Sequence, residues 1–114
     1  MQEFVLIFRQ SPASENASPE EMAARIPQWE SWFAGIAAQG KYIPGKRLGT
    51  QGKVLKAGGV ITDGPFVEIK EQLAGFISVR AENLEEATTL AHGCPIISQG
   101  GNVEIRNVIE IAFK

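Results

Sequence analysis

The chain has 114 residues, 44% of them hydrophobic and 21% charged, which suits one globular domain spanning residues 1–114 and excludes a disordered or collagen-like chain. Eleven Lys and Arg against 13 Asp and Glu leave a net charge of −2, with no cationic run longer than Lys46-Arg47, so a surface that grips nucleic-acid phosphates by itself is not expected. Cys94, the only cysteine, can close no intrachain disulfide, and the opening apolar run Phe4–Phe8 is too short for a signal peptide or a membrane span, so a cytoplasmic protein without membrane attachment is expected.

Glu3 to Phe8 is rich in β-branched and aromatic residues and reads as a buried strand. A polar loop follows over residues 10–18. Ser18-Pro19-Glu20-Glu21 then marks a helix start, with Ser18 as cap, Pro19 at the first helical position and Glu21 completing a capping box. Met22, Ile26, Trp29, Phe33 and Ile36 recur on one helical face, and Gly40 is a natural stop. Pro27 is expected to kink this helix or split it near Ile26. Residues 40–52, with glycines at 40, 45, 49 and 52 and Pro44, read as an irregular, mobile connection. Lys53–Lys56 and Val60–Thr62 flank Ala57-Gly58-Gly59 as a short hairpin, and Asp63-Gly64-Pro65 is a turn signal.

From Leu73 to Arg80 the chain alternates, placing Leu73, Gly75, Ile77 and Val79 on one face and Ala74, Phe76, Ser78 and Arg80 on the other. Asn83-Leu84-Glu85-Glu86 caps a second helix that runs to about His92, before Gly93 and Pro95 end it. Val103 to Phe113 reads as the last strand, with Val103, Ile105, Asn107, Ile109 and Ile111 opposite Glu104, Arg106, Val108 and Glu110. The order is that of an α+β, ferredoxin-like βαββαβ domain with an extra short hairpin. One layer of helices covers one sheet face. The other, carrying Ala74, Phe76, Arg80, Glu104 and Arg106, is left open, and a second copy is its simplest cover, so a homodimer is expected.

The stretch from Asp63-Gly64-Pro65-Phe66 through Glu71-Gln72-Leu73-Ala74-Gly75-Phe76 closely resembles the signature of the YCII-related family, in its DGPF branch. Asn83–Ala87, Val103–Arg106 and the opening strand also resemble that family. The resemblance covers nearly the whole chain and implies a dimeric α/β barrel in which two ferredoxin-like sheets face each other. It implies little about chemistry. Some members are described as transcription initiation proteins. A sister branch carries a His on the first helix, paired with an Asp as a suggested acid–base dyad, and counting from Gly40 that position falls at Trp29 here.

Asp63, at the mouth of a strand, is a candidate proton-transfer group, with turn capping as its plainer role. Lys70 and Glu71 follow the same loop. Glu104 and Arg106 share a strand face, and with the first and last strands flanking the third, these charges converge on one cleft. There Arg106 is expected to bind a carboxylate or phosphate, Glu71 or Glu104 to serve as a tuned acid or base, with Asp63 and Glu71 the candidate catalytic pair, and Glu104 and Lys70 to contribute to binding. The plainer alternative is a structural ion pair of Glu71 or Glu104 with Arg106. Phe66 and Trp32 are candidate apolar walls, Trp32 because it lies off the core stripe of its helix. His92 is expected to cap its helix and Cys94 to pack as a small apolar residue. No nucleotide-binding glycine motif occurs, and no cofactor is expected. Two functions follow: a cofactor-free enzyme doing acid–base chemistry on a small carboxylated or phenolic metabolite, or a non-enzymatic dimeric module binding a metabolite or a protein.

Overall fold

The structure is a computed structural model and describes residues 1–11, 17–49, 51–64 and 72–110, with the backbone alone at 62–64 and 72. Strand β1 (Gln2–Gln10) leads to helix α1 (Pro19–Ala37) and strand β2 (Tyr42–Arg47). A hairpin follows, β3 (Gly52–Leu55) and β4 (Ile61–Gly64), joined through a short 3-10 turn at Ala57–Gly59. Strand β5 (Gln72–Ala81), helix α2 (Leu84–Ala91), the single turn α3 (Pro95–Ser98) and strand β6 (Asn102–Asn107) complete the described chain.

Four strands form one antiparallel sheet in the order β2-β5-β1-β6, while β3 and β4 pair with each other as a separate ribbon. The fold is thus α+β, with the expected βαββαβ order and an inserted hairpin. One expectation needs correcting in part: the first strand does pair with the third strand of the sheet, β5, but the last strand does not. β1 lies between β5 and β6, so β6 never meets β5. The longest apolar strand takes the centre, where both of its edges are paired and both of its faces can be covered.

Phe4, Leu6 and Phe8 of β1 are buried against Ile77, Val79 and Ala81 of β5, Ile36 of α1, Ala87 and Ala91 of α2, and Cys94 and Ile96. Leu6 and Val79 are fully enclosed. Burying a side chain of that size stabilises the fold by about 1.5–3 kcal/mol. Ala87 and Ala91 lie one helical turn apart, and their small side chains let α2 approach the sheet closely.

Helix α1 begins as expected: the Ser18 hydroxyl accepts the Glu21 N–H at 3.1 Å. Gly40 ends the turn at φ +71°, a conformation costly for other residues. Two expectations along α1 are corrected. Pro27 does not split the helix, which runs unbroken through it. Both Pro27 and Ala23, whose carbonyl loses its partner, are exposed, so water satisfies that oxygen. Nor is the whole stripe core: Met22 is 49% and Ile26 58% exposed, and only Trp29, Phe33 and Ile36 of the stripe reach the core.

Residues 42–47 are a strand, not part of an irregular connection. β2 is a sheet edge, and its register against β5 shifts between Ile43 and Lys46, which places Pro44 and Gly45 in a bulge. There the backbones touch: a Cβ on Gly45 would stand 1.9 Å from the Phe76 carbonyl oxygen, and one on Gly75 2.5 Å from that of Lys46. Pro95 opens a new turn, α3, rather than only ending α2. β6 is shorter than expected, stopping at Asn107. Val108 still donates to the Glu3 carbonyl, but Ile109 is 73% exposed, and 111–113 lie outside the described residues. Asp63 and Gly64 close β4 opposite Lys53 and Gly52, and the rest of that turn signal lies outside the described residues.

Candidate functional site

Because Phe4, Leu6 and Phe8 face the helices, alternation turns Glu3, Val5, Ile7 and Arg9 to the opposite side of the sheet. Val5 lies between Ser78 of β5 and Arg106 of β6, and Ile7 lies between Phe76 and Glu104. Ile43 of β2 stands opposite Ser78. The result is an apolar centre with charges beside it. No helix of the described chain covers this face: Val5, Ile7 and Ile43 are half-buried, and Phe76 is 36% exposed.

The charges are arranged unequally. Arg9 Nη1 donates to Glu104 Oε1 at 2.5 Å, while Arg106 Nε stands 3.9 Å from Glu104 Oε2. Glu104 is thus tied first to β1, across the strand pair, and only loosely to its neighbour on β6. The Arg106 side chain, 67% exposed, keeps most of its five N–H donors for an external acceptor. On the opposite side of the sheet, the side Phe4 shares with the helices, an open depression of about 430 Å³ runs along β6 to the start of α2, lined by Gln2, Phe4, Asn83, Leu84, Ile105 and Asn107 and touching Arg106. That volume lies in the range of small-ligand sites, with an apolar floor and amide side chains around it. Asn83 is partly committed, since its Oδ1 accepts the Glu86 N–H at 2.9 Å.

Of the seven residues singled out in the sequence, the structure brings Glu104 and Arg106 together on the open face. Trp32 is elsewhere. It packs edge-on to Phe8 and Trp29, tilted against Phe33, and donates its indole N–H to the Leu90 carbonyl at 2.9 Å. Those partners belong to the helix side of the sheet, so Trp32 shares no pocket with Glu104 and Arg106. Trp29 lies in the same aromatic cluster, against Phe8 and Phe33. Asp63 is described in its backbone only, and Phe66, Lys70 and Glu71 lie outside the described residues.

His92 takes the C-cap position of α2, where its backbone N–H reaches the Thr89 carbonyl. Cys94 is buried, and that burial pushes its thiol up to about 11, so it remains a protonated, apolar side chain. Among the described residues no cluster of His, Cys, Asp and Glu could hold a metal ion, and no helix is long and apolar enough to cross a membrane. Sequence reasoning missed Arg9. Its signal was there: Ile7 and Arg9 are two apart on one strand and so share a face, but its partner depends on the β1–β6 register, which no local pattern reveals.

Compared with known proteins, residues 2–112 match the model of one family, the YCII-related domain. No curated protein matches the chain.

Proposed function

The chain belongs to the YCII-related domain family, and from that premise we propose that it is a dimeric domain binding a small carboxylated or phenolic metabolite at the open sheet face. The observation that carries this reading is Arg106, an exposed guanidinium on the open face opposite the half-buried Val5, with Glu104 no closer than 3.9 Å. A carboxylate or phenolate docks on it through two N–H donors, and the ring or chain of the metabolite lies toward Val5 and Ile7. Two sheets closing face to face, as a dimeric α/β barrel, cover the open face and remove water from the ion pair. Asp63 and Glu71, from the loop whose sequence resembles the family signature, supply the proton-transfer carboxylates of a cofactor-free isomerase- or lyase-type reaction. Lys70 and Phe66, from the same stretch of sequence, contribute to binding on this reading.

A second reading has its own support. The close Arg9–Glu104 pair ties β1 to β6 and gives those charges a structural task. On this reading the dimer is a non-enzymatic module for a metabolite or a protein. The two separate in a thermal-shift screen of carboxylates and phenols on wild type and Arg106→Ala. A ligand at about 100 times its Kd stabilises by about 2.7 kcal/mol. The expected result is a hit that disappears in a variant of unchanged intrinsic Tm, followed by turnover that falls in Glu71→Gln. Binding without turnover favours the module. No hit in either protein, at millimolar ligand, contradicts the metabolite site.

A further inference from the structure

We propose that the β3–β4 hairpin is an arm that closes over the second copy of this chain, an inference that rests on the dimeric reading above. β3 and β4 pair with each other and with no strand of the main sheet. Leu55 and Ile61 stand directly opposite one another on this ribbon, 73% and 61% exposed, and the adjoining Val60 is 53% exposed. Two-stranded ribbons are marginal in water unless one face is covered, and the exposed Leu55–Ile61 pair marks the face that needs it.

The molecule is only 20 Å thick against 49 and 44 Å in its other directions. Helices stacked on one sheet already account for that thickness, since packed layers lie about 10 Å apart. The ribbon therefore extends the plate sideways and does not fold back over its own open face. Two apolar surfaces, the open face and the arm, are thus left uncovered together by the described residues. A two-fold axis resolves both at once: facing sheets bring each arm to the rim of the partner, reciprocally and with no surface left over for a third copy.

At about 3.3 Å per residue and about 4.8 Å between strands, strands of 9, 6, 10 and 6 residues present a face of roughly 500 Å² in projection. A stable dimer hides about 800 Å² on each partner. The sheet face alone falls short, and the arm is the nearest further apolar surface.

The test is Leu55→Thr with Ile61→Thr, which keeps β-propensity while removing the apolar contact. Sedimentation equilibrium of both proteins reads the dimer dissociation constant, and hydrogen exchange reads residues 53–61 of the wild type above and below that constant. The expected result is a dissociation constant at least tenfold higher in the variant, and arm amides in the wild type that slow only when the dimer forms. A wild-type dimer whose arm exchanges at the same rate in monomer and dimer overturns the arm and leaves the dimer standing, and so does an unchanged constant in the variant. A wild type monomeric at every concentration overturns the dimeric reading and the arm with it.

Discussion

Glu104 stands between two guanidinium groups that are not equivalent. Arg9 reaches it across the strand pair at 2.5 Å, whereas Arg106 is 3.9 Å away on the same strand. Both partners of the close pair are about a third or more exposed, so solvent screens it and it contributes less than about 1 kcal/mol. Arg9→Met is therefore expected to lower stability by no more than that in urea denaturation; a loss of several kcal/mol would mean that the pair is desolvated in the working assembly. Two titrating groups make signed predictions. A hydrogen bond from Lys41, at 2.7 Å, holds the Glu86 carboxyl below its ordinary range, and the lysine's charge adds to the effect. A depressed folded value stabilises above the unfolded value, near roughly 4.3, and that contribution is lost as pH falls through the folded one. Wild type should accordingly exceed Glu86→Gln in urea midpoint at pH 7 and lose that advantage at pH 3. For Cys94 the shift is upward, to about 11, so stability is expected to fall as pH rises above the unfolded thiol value, near roughly 8.5. Alkylation at pH 8 should be slow in the native protein and fast in denaturant. Cys94 was legible as an apolar residue in the sequence because composition alone predicts its behaviour. Arg9 was not, because an ion pair between residues 95 apart is a property of register.

At the level of elements, local chemistry carried most of the reading. Ser18 and Asn83 cap their helices through the N–H groups three residues on, as the sequence predicts. Asn83→Ala should cost about 1 kcal/mol, read as a lower Tm. What local chemistry could not show was pairing. Pro44 and Gly45 look like a loop until β5 is beside them; then a bulge on an edge strand uses both. Gly75, inside the signature stretch, has a structural reason of its own, since β2 passes too close for a Cβ. Gly75→Ala should cost about 1–3 kcal/mol by overpacking, with β2 displaced. The apolar spacing along α1 was real, yet its first two turns meet no described core residue. Periodicity reports which face is apolar, not how much of its length finds a partner.

For the whole molecule, the sequence made the α+β class and the single helical layer legible, because strand alternation and helix caps are local signals. The site was half legible. Glu104 and Arg106 fall together because both sit on β6, while Trp32, chosen for being off its stripe, joins the aromatic cluster on the far side of the sheet. An aromatic side chain that broad spans the gap between two helical faces, so position on a helical wheel decides its burial poorly. The central claim is that the open face of the sheet is closed by a second copy, which completes a site around Arg106. Phe76→Arg, on that face and 36% exposed, inserts a charge at its centre without entering the core. Light scattering at micromolar concentration tests the claim most directly. The account predicts twice the chain mass for wild type and one chain mass for a Phe76→Arg variant with native circular dichroism. A single-chain mass for the wild type would contradict it.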